Sequence, residues 1–222
     1  MLTVAIDTST RLGSVGVGRS GELLGETSFS ARATHSETVL PEVRRLLDRC
    51  GEGPGSVEAV VVGAGPGSFT GVRIAAALGK GLCAARRARL FAYSSLEAVA
   101  VGTGLAGRIC VLFDARREQV YAAAWDVAPP AGSVLGPVAA SLEEVLSGLD
   151  EVGSWCFAGD GAMLHRQALE ARGARVLSSL HAFPRAGALL RLAAVAPDRG
   201  RVAEPSDWEP TYARASGAER GV

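Results

Sequence analysis

Val4-Ala5-Ile6-Asp7-Thr8-Ser9-Thr10 opens the chain, and Val111-Leu112-Phe113-Asp114 restarts the same theme in its second half. Each is a short apolar run that ends in aspartate and leads into a returning strand. Working outward from the first, residues 14–18 and 22–28 alternate as strands about a turn at Arg19-Ser20-Gly21. Thr34-x-x-Glu37 has capping-box spacing ahead of Val39, Leu40, Val43, Leu46, Leu47 and Cys50, a helical stripe that Gly51 ends. Pro41 should kink that helix or delay its start. A buried strand at 57–62 then meets the glycine-rich turn 63–71, which opens a helix running to about residue 85. A strand at 88–93 and a short helix at 95–101 close the half.

Outward from the second run, 119–126 reads as the returning strand, 129–137 as a Pro/Gly-rich loop, and Ser141-x-x-Glu144 as a helix cap. A strand at 155–158 meets Gly159-Asp160-Gly161 and a helix to about residue 170. A strand at 175–178, a helix at 186–196 and a polar tail with Trp208 and Tyr212 come after it. The shared order predicts a duplicated α/β unit, an antiparallel meander leading into parallel strands. That is the ribonuclease-H-like layout. Gly102-Thr103-Gly104 marks the expected boundary, giving units 1–103 and 104–222.

Composition narrows the function. The 222 residues carry 23 basic and 23 acidic side chains, and every basic residue except Lys80 is arginine. A protein that holds nucleic acid alone by neutralising phosphates needs a basic excess, so independent tight binding of that kind is disfavoured. At 48% hydrophobic and 21% charged residues, the chain has the material for a sizeable core. The uncharged, apolar stretch 59–72 is too short to span a bilayer and is broken by Gly and Pro. No basic segment precedes Asp7, and Cys50, Cys83, Cys110 and Cys156 form no CxxC pair. A reduced, cytoplasmic protein with no membrane association is expected.

Five constellations hold chemical groups. Asp7-Thr8-Ser9-Thr10 would suit a magnesium-bound phosphate, or equally an Asx- or ST-turn that closes a strand. The turn Gly65-Pro66-Gly67-Ser68-Phe69-Thr70-Gly71 could converge amides on an anion at a helix N-terminus, or serve as a tight, closely packed connection. It matches neither a P-loop nor a dinucleotide fingerprint. Arg73 and Lys80 share a helix face, as an anion clamp or as solvated charge. Asp114-Ala115-Arg116-Arg117 and Gly159-Asp160-Gly161 offer the same choice in the second half, anion or nucleoside contact against plain turns. His35, His165 and His181 have no metal-ligand spacing, and Ser68 lies in no nucleophile elbow. His35 beside Ser36 and Glu37 invites a catalytic reading, but capping explains Glu37 at a helix start. No catalytic residue and no metal site is expected.

These strings together resemble the TsaB (YeaZ) family: Val4 to Thr10, His35-Ser36-Glu37 with Leu40-Pro41, Gly65 to Arg73 with Lys80-Gly81, Asp114 to Arg117 with Val120-Tyr121, Gly159-Asp160-Gly161, and Pro210-x-Tyr212-x-Arg214. The resemblance runs through the chain in order, and Gly-Pro-Gly-Ser-Phe-Thr-Gly-Val-Arg is its most specific part. It implies an α/β fold of the ASKHA (actin-like ATPase) class made of two ribonuclease-H-like units. It also implies a role in forming N6-threonylcarbamoyladenosine in tRNA beside the anticodon, as the non-catalytic partner of TsaD, with TsaE in the same assembly and tRNA reached only through the complex. Where TsaD-like sequences carry a paired-histidine metal motif, this chain reads Phe91-Ala-Tyr-Ser-Ser-Leu-Glu-Ala-Val99.

The resemblance leaves Asp7, Thr8, Ser9, Gly159, Asp160 and Gly161 as a degenerate nucleotide site, with ATP or ADP held only at a complex interface and none by this chain alone. The two helices have apolar or bare positions that a sheet-packed helix does not need, and the family implies that they pair with TsaD or with a second copy. The expected face comprises His35, Val39, Val43, Leu46, Leu47, Gly71, Arg73, Ala75, Leu78, Gly79 and Leu82. Two enzymatic alternatives stand beside this one, a small ASKHA ATPase or kinase and a glycoprotease-like metallopeptidase.

Overall fold

The structure, a computed structural model, describes residues 1–30, 35–126 and 132–212. The chain runs β1 (Leu2–Asp7), β2 (Leu12–Arg19), β3 (Glu22–Ser30), α1 (His35–Arg49), β4 (Ala59–Gly63), α2 (Phe69–Arg86), β5 (Arg89–Tyr93) and α3 (Ser95–Gly102). It then repeats the pattern with β6 (Arg108–Asp114), β7 (Gln119–Asp126), β8 (Gly132–Ser141), α4 (Leu142–Ser147), β9 (Cys156–Ala158), α5 (Asp160–Leu164), α6 (Arg166–Glu170) and β10 (Arg175–Val176). Last come α7 (Ala186–Val195), α8 (Pro197–Gly200) and β11 (Arg201–Val202).

Two compact units result among the described residues, Met1–Ala98 with Pro184–Thr211, and Val99–Phe183 with Tyr212. In the first, the sheet order is β11-β5-β4-β1-β2-β3. β1 is antiparallel to β2 and parallel to β4, and β4 is parallel to β5. In the second, the order is β10-β9-β6-β7-β8, with β6 antiparallel to β7 and parallel to β9, and β9 parallel to β10. Removing β11 leaves the same 5-4-1-2-3 arrangement with the same strand directions. This is the duplicated ribonuclease-H-like layout that the two Asp-terminated strands predict. Ser20 and Gly21, both at positive φ, make the β2–β3 hairpin turn, the conformation that two-residue connections prefer.

The first core joins Leu2, Val4 and Ile6 of β1 and Val60 and Val62 of β4 to Val39, Val43 and Leu47 of α1 and to Ala75 and Cys83 of α2. The second gathers Cys110, Leu112, Val120 and Ala122 under Val145, Leu146, Ala162 and Leu169, with Trp155 and Phe157. Burial pushes the Cys83 thiol up to about 11 and that of Cys110 upward as well, so both behave as small core hydrophobes.

Three features differ from the sequence reading. The first unit is discontinuous where 1–103 and 104–222 are expected, because α7 returns to pack on β1, β2 and β3. Glu26 fixes that return. Its carboxylate accepts from Arg185 Nη2 (2.8 Å), from the Gly187 amide (3.1 Å) and from Ser14 Oγ (3.2 Å), while Ser14 Oγ accepts from the Ala186 amide (3.0 Å). The second difference is β8, a strand where a loop is expected. Gly136 and Pro137 fall at an irregularity between Leu135 and Val138, on an edge strand, where proline is tolerated. Third, the helix after Gly159 breaks at His165 into α5 and α6. Thr34, the expected cap of α1, and Arg214 lie outside the described residues.

Candidate functional site: a sealed aspartate turn and an open helix groove

In the first unit, β1 delivers Asp7 to a position with no solvent exposure. Its Oδ1 accepts from the Ser9 amide (2.8 Å) and Ser9 Oγ (2.7 Å), which is the Asx-turn alternative. Its Oδ2 accepts from Ser95 Oγ (2.7 Å), whose own lone pair takes the Gly65 amide (3.3 Å). Thr8 Oγ1 donates to the Gly71 carbonyl (2.6 Å), and the Ser68 amide donates to the Ser9 carbonyl (2.6 Å). The glycine turn therefore lies directly on the aspartate turn. A Cβ at Gly63 would collide with the Asp7 carboxylate, one at Gly67 with the Ser9 carbonyl and one at Gly71 with the Thr8 carbonyl. Those glycines serve close packing of protein on protein. Ser95, distant in sequence at the start of α3, is the partner that motif reading misses.

In the second unit, Asp114 ends β6 exposed to solvent. Its Oδ1 accepts from the Arg116 amide (2.8 Å), and its own amide donates to Asp160 Oδ1 (3.1 Å). Arg116, Arg117 and Glu118 all adopt positive φ, at 60°, 52° and 60°. Their side chains are exposed, so this is the solvated-turn alternative. A Cβ at Gly159 would collide with the Leu112 carbonyl, and Gly161 lies against the backbone of Leu112 and Phe113. This turn, too, packs on its own strand. Asp7, Thr8 and Ser9 thus belong to one unit and Gly159, Asp160 and Gly161 to the other, each held by its own neighbours. Among the described residues, no group of three His, Cys, Asp or Glu could hold a metal ion, and no helix is long and apolar enough to cross a membrane.

The expected helix face needs correcting. Val39, Val43, Leu46 and Leu47 of α1 are buried in the first core. Gly71, Ala75 and Gly79 of α2 are buried too, with a Cβ at Gly79 2.6 Å from Val62 Cγ1. That bare stripe seats α2 on its own sheet. Leu78 and Leu82 are half-buried, and Arg73 is exposed with its guanidinium 4.0 Å from the centre of the Phe69 ring. The side chain of His35 lies outside the described residues. At 100° per residue, the buried arc of α2 leaves Ala77 and Gly81 facing outward beside Ile74 and Leu78. A Cβ at Gly81 would meet nothing within 4 Å. Between α1 and α2 opens an apolar groove of about 380 Å³, lined by Leu40, Pro41, Val43, Leu47, Val57 and Leu82 among others. Leu40 at its rim is 47% exposed. Periodicity gives Leu40 and Gly81 no part in a docking face; only the direction in which each helix presses on the sheet does.

The family described as "TsaD: tRNA N6-adenosine threonylcarbamoyltransferase" matches residues 28–219. The tRNA threonylcarbamoyladenosine biosynthesis protein TsaB of Bacillus subtilis (strain 168) is 38% identical over 122 residues, 54% of this chain and 53% of that protein. The chain thus spans about half the length of the curated relatives it matches. The solved structure of YeaZ from Pseudomonas aeruginosa is similar over 95% of this chain and 99% of that one, at 31% identity and a TM-score of 0.81. The ethanolamine utilization protein EutJ from Carboxydothermus hydrogenoformans, at 13% identity and a TM-score of 0.53, covers 87% of this chain and 89% of its own, and shares the fold.

Proposed function

The chain belongs to the TsaB (YeaZ) group of the TsaD family, and from that premise we propose that it is a non-catalytic docking subunit for a TsaD-type partner in the formation of threonylcarbamoyladenosine in tRNA. The observation that carries the proposal is the α1–α2 groove with the small, outward-facing Ala77 and Gly81 beside it. An apolar cleft between two helices, next to positions without bulk, suits an incoming helix pair, because side chains enter the groove while backbones approach at the bare positions. The partner contributes the metal and the transfer chemistry; this chain contributes the surface that holds the partner. tRNA meets the assembly, with TsaE, through the partner's surface, which fits the zero net charge of this chain. A second copy occupies the same groove when no partner is present.

The sealed turn supports the non-catalytic half. A phosphate at the β1–β2 turn would have to displace Ser9 and Ser95 from Asp7 and part the two packed turns. Nucleotide bound by this chain alone is therefore not part of the proposal, and ATP or ADP belongs to the assembled complex.

The test is reconstitution of the modification with purified TsaD, TsaE and this chain from the same organism, omitting each in turn. Loss of modification without this chain, together with co-purification of this chain and TsaD, is the expected result. Magnesium-dependent ATP binding by the isolated chain, abolished by Asp7→Ala, would replace the proposal with the ATPase or kinase reading.

A further inference from the structure

The only lysine in the chain lies on the flank of α2 opposite α1, where the late segment Glu204–Thr211 crosses the helix. Lys80 Nζ donates to the Ser206 carbonyl (3.2 Å) and to Glu209 Oε1 (3.2 Å). The rest of this strap is held differently. The Thr211 amide donates to the Ala64 carbonyl (2.9 Å), Pro210 is buried, and Trp208 packs at the edge of the first core. Beside Nζ, between the strap and α2, lies an open cavity of about 420 Å³, lined by Lys80, Cys83, Ala84, Arg87, Pro205 and Ser206 among others. The lysine side chain keeps 25% of its exposure, and Glu209 opposite keeps 69%. An ion pair this exposed is weak, so the amine is within reach of a reagent from solvent.

We propose that Lys80 is an acylation site whose modification unpins the strap from α2. The donor is an activated acyl group, as an acyl phosphate or an acyl thioester. An amide forms between Nζ and the acyl carbon as the acyl C–O or C–S bond breaks; phosphate or thiol leaves, and the amine releases a proton to solvent. The product is neutral, with one N–H in place of three, so the ion pair to Glu209 is lost and the two contacts compete for one donor. The cavity supplies room for the acyl group. No other lysine dilutes the effect, and the remaining basic side chains of the strap's surroundings are arginines, which such donors leave alone. The strap borders the face proposed for docking. Any consequence for docking rests on that reading, whereas the test does not, being read on the chain alone.

The folded full chain is treated with acetyl phosphate in one arm and acetyl-CoA in the other, and then submitted to peptide mass mapping and amide hydrogen exchange. The expected result is acetylation at Lys80 in at least one arm, with exchange across 204–211 rising at least five-fold. Lys80→Gln should reproduce the rise, and Lys80→Arg should keep the protection of the wild-type chain and take no acetyl group there. A Lys80 that stays unmodified in both arms while the denatured chain is acetylated there would overturn the proposal. So would an acetylated chain and a Lys80→Gln variant that both exchange at the unmodified rate.

Discussion

Asp7 and Asp114 end equivalent central strands of two topologically equal sheets, yet one is sealed and the other lies in solvent. The difference comes from the turn after the neighbouring parallel strand, β4 in one unit and β9 in the other. After β4, a long glycine turn presses on the Asp7 turn, and Ser95 completes the cover from the start of α3. After β9, the shorter Gly159-Asp160-Gly161 turn packs on the β6 backbone, and Asp160 Oδ1 accepts the Asp114 amide without covering its carboxylate. The same duplicated plan thus yields a structural keystone in one unit and a solvated hairpin in the other. Each turn is filled by protein, while in the first unit an apolar groove stays open between α1 and α2.

The contrast is most exposed to the addition of one carbon. Gly71→Ala should destabilise the first unit by about 3 kcal/mol in urea unfolding, since its Cβ collides with a backbone carbonyl that cannot swing aside. Gly81→Ala on the same helix should raise stability slightly, by up to ~1 kcal/mol, because it gains helix propensity in open space. Equal effects at the two positions would show that the glycine turn is not packed as described. Next in size is the aspartate pair. Asp7→Ala strips acceptors from Ser9 and Ser95 in a buried setting and should cost roughly 2–3 kcal/mol, whereas Asp114→Ala should stay within about 0.5 kcal/mol.

A smaller effect belongs to Glu26, which ties α7 into the first unit. Burial pushes its pKa up, but the hydrogen bonds from Arg185 and the Gly187 amide and the Arg185 charge outweigh burial, so the carboxyl sits below the usual 4.5. The unfolded chain then protonates first as pH falls. Glu26 stabilises fully above about 4.5, and the contribution disappears as pH drops through the lower folded value. Glu26→Gln should therefore lower the urea midpoint at pH 7 by the equivalent of about 1 kcal/mol, and the difference should shrink steadily as pH falls below 4.5. A constant difference across that range would remove the carboxylate from the account.

Much of the fold is legible in the sequence because it depends on local patterns. Apolar runs ending in aspartate, the Arg19-Ser20-Gly21 turn and the Ser141–Glu144 capping box, whose reciprocal hydrogen bonds both form, act within a few residues. What escapes depends on pairings between distant positions. Ser95 is identified only by Asp7, and the return of α7 only by Glu26 and Ser14. β8 hides because Gly136-Pro137 is loop chemistry that an edge bulge accepts. The docking face escapes for a subtler reason. α2 has small residues on two sides, Gly71-Ala75-Gly79 and Ala77-Gly81, and periodicity alone cannot say which side the sheet takes. The larger side chains at 74, 78 and 82 sit between them and favour neither.

In the proposed role, α1 and α2 present a docking face while the aspartate turn stays closed. A calorimetric titration decides this, run with purified TsaD from the same organism against the wild-type chain and against Gly81→Arg, a variant whose exposed position adds bulk and charge without touching the core. A loss of affinity of at least a hundred-fold is expected, with the unfolding midpoint of the variant unchanged or higher. Full affinity in a folded Gly81→Arg chain would contradict it.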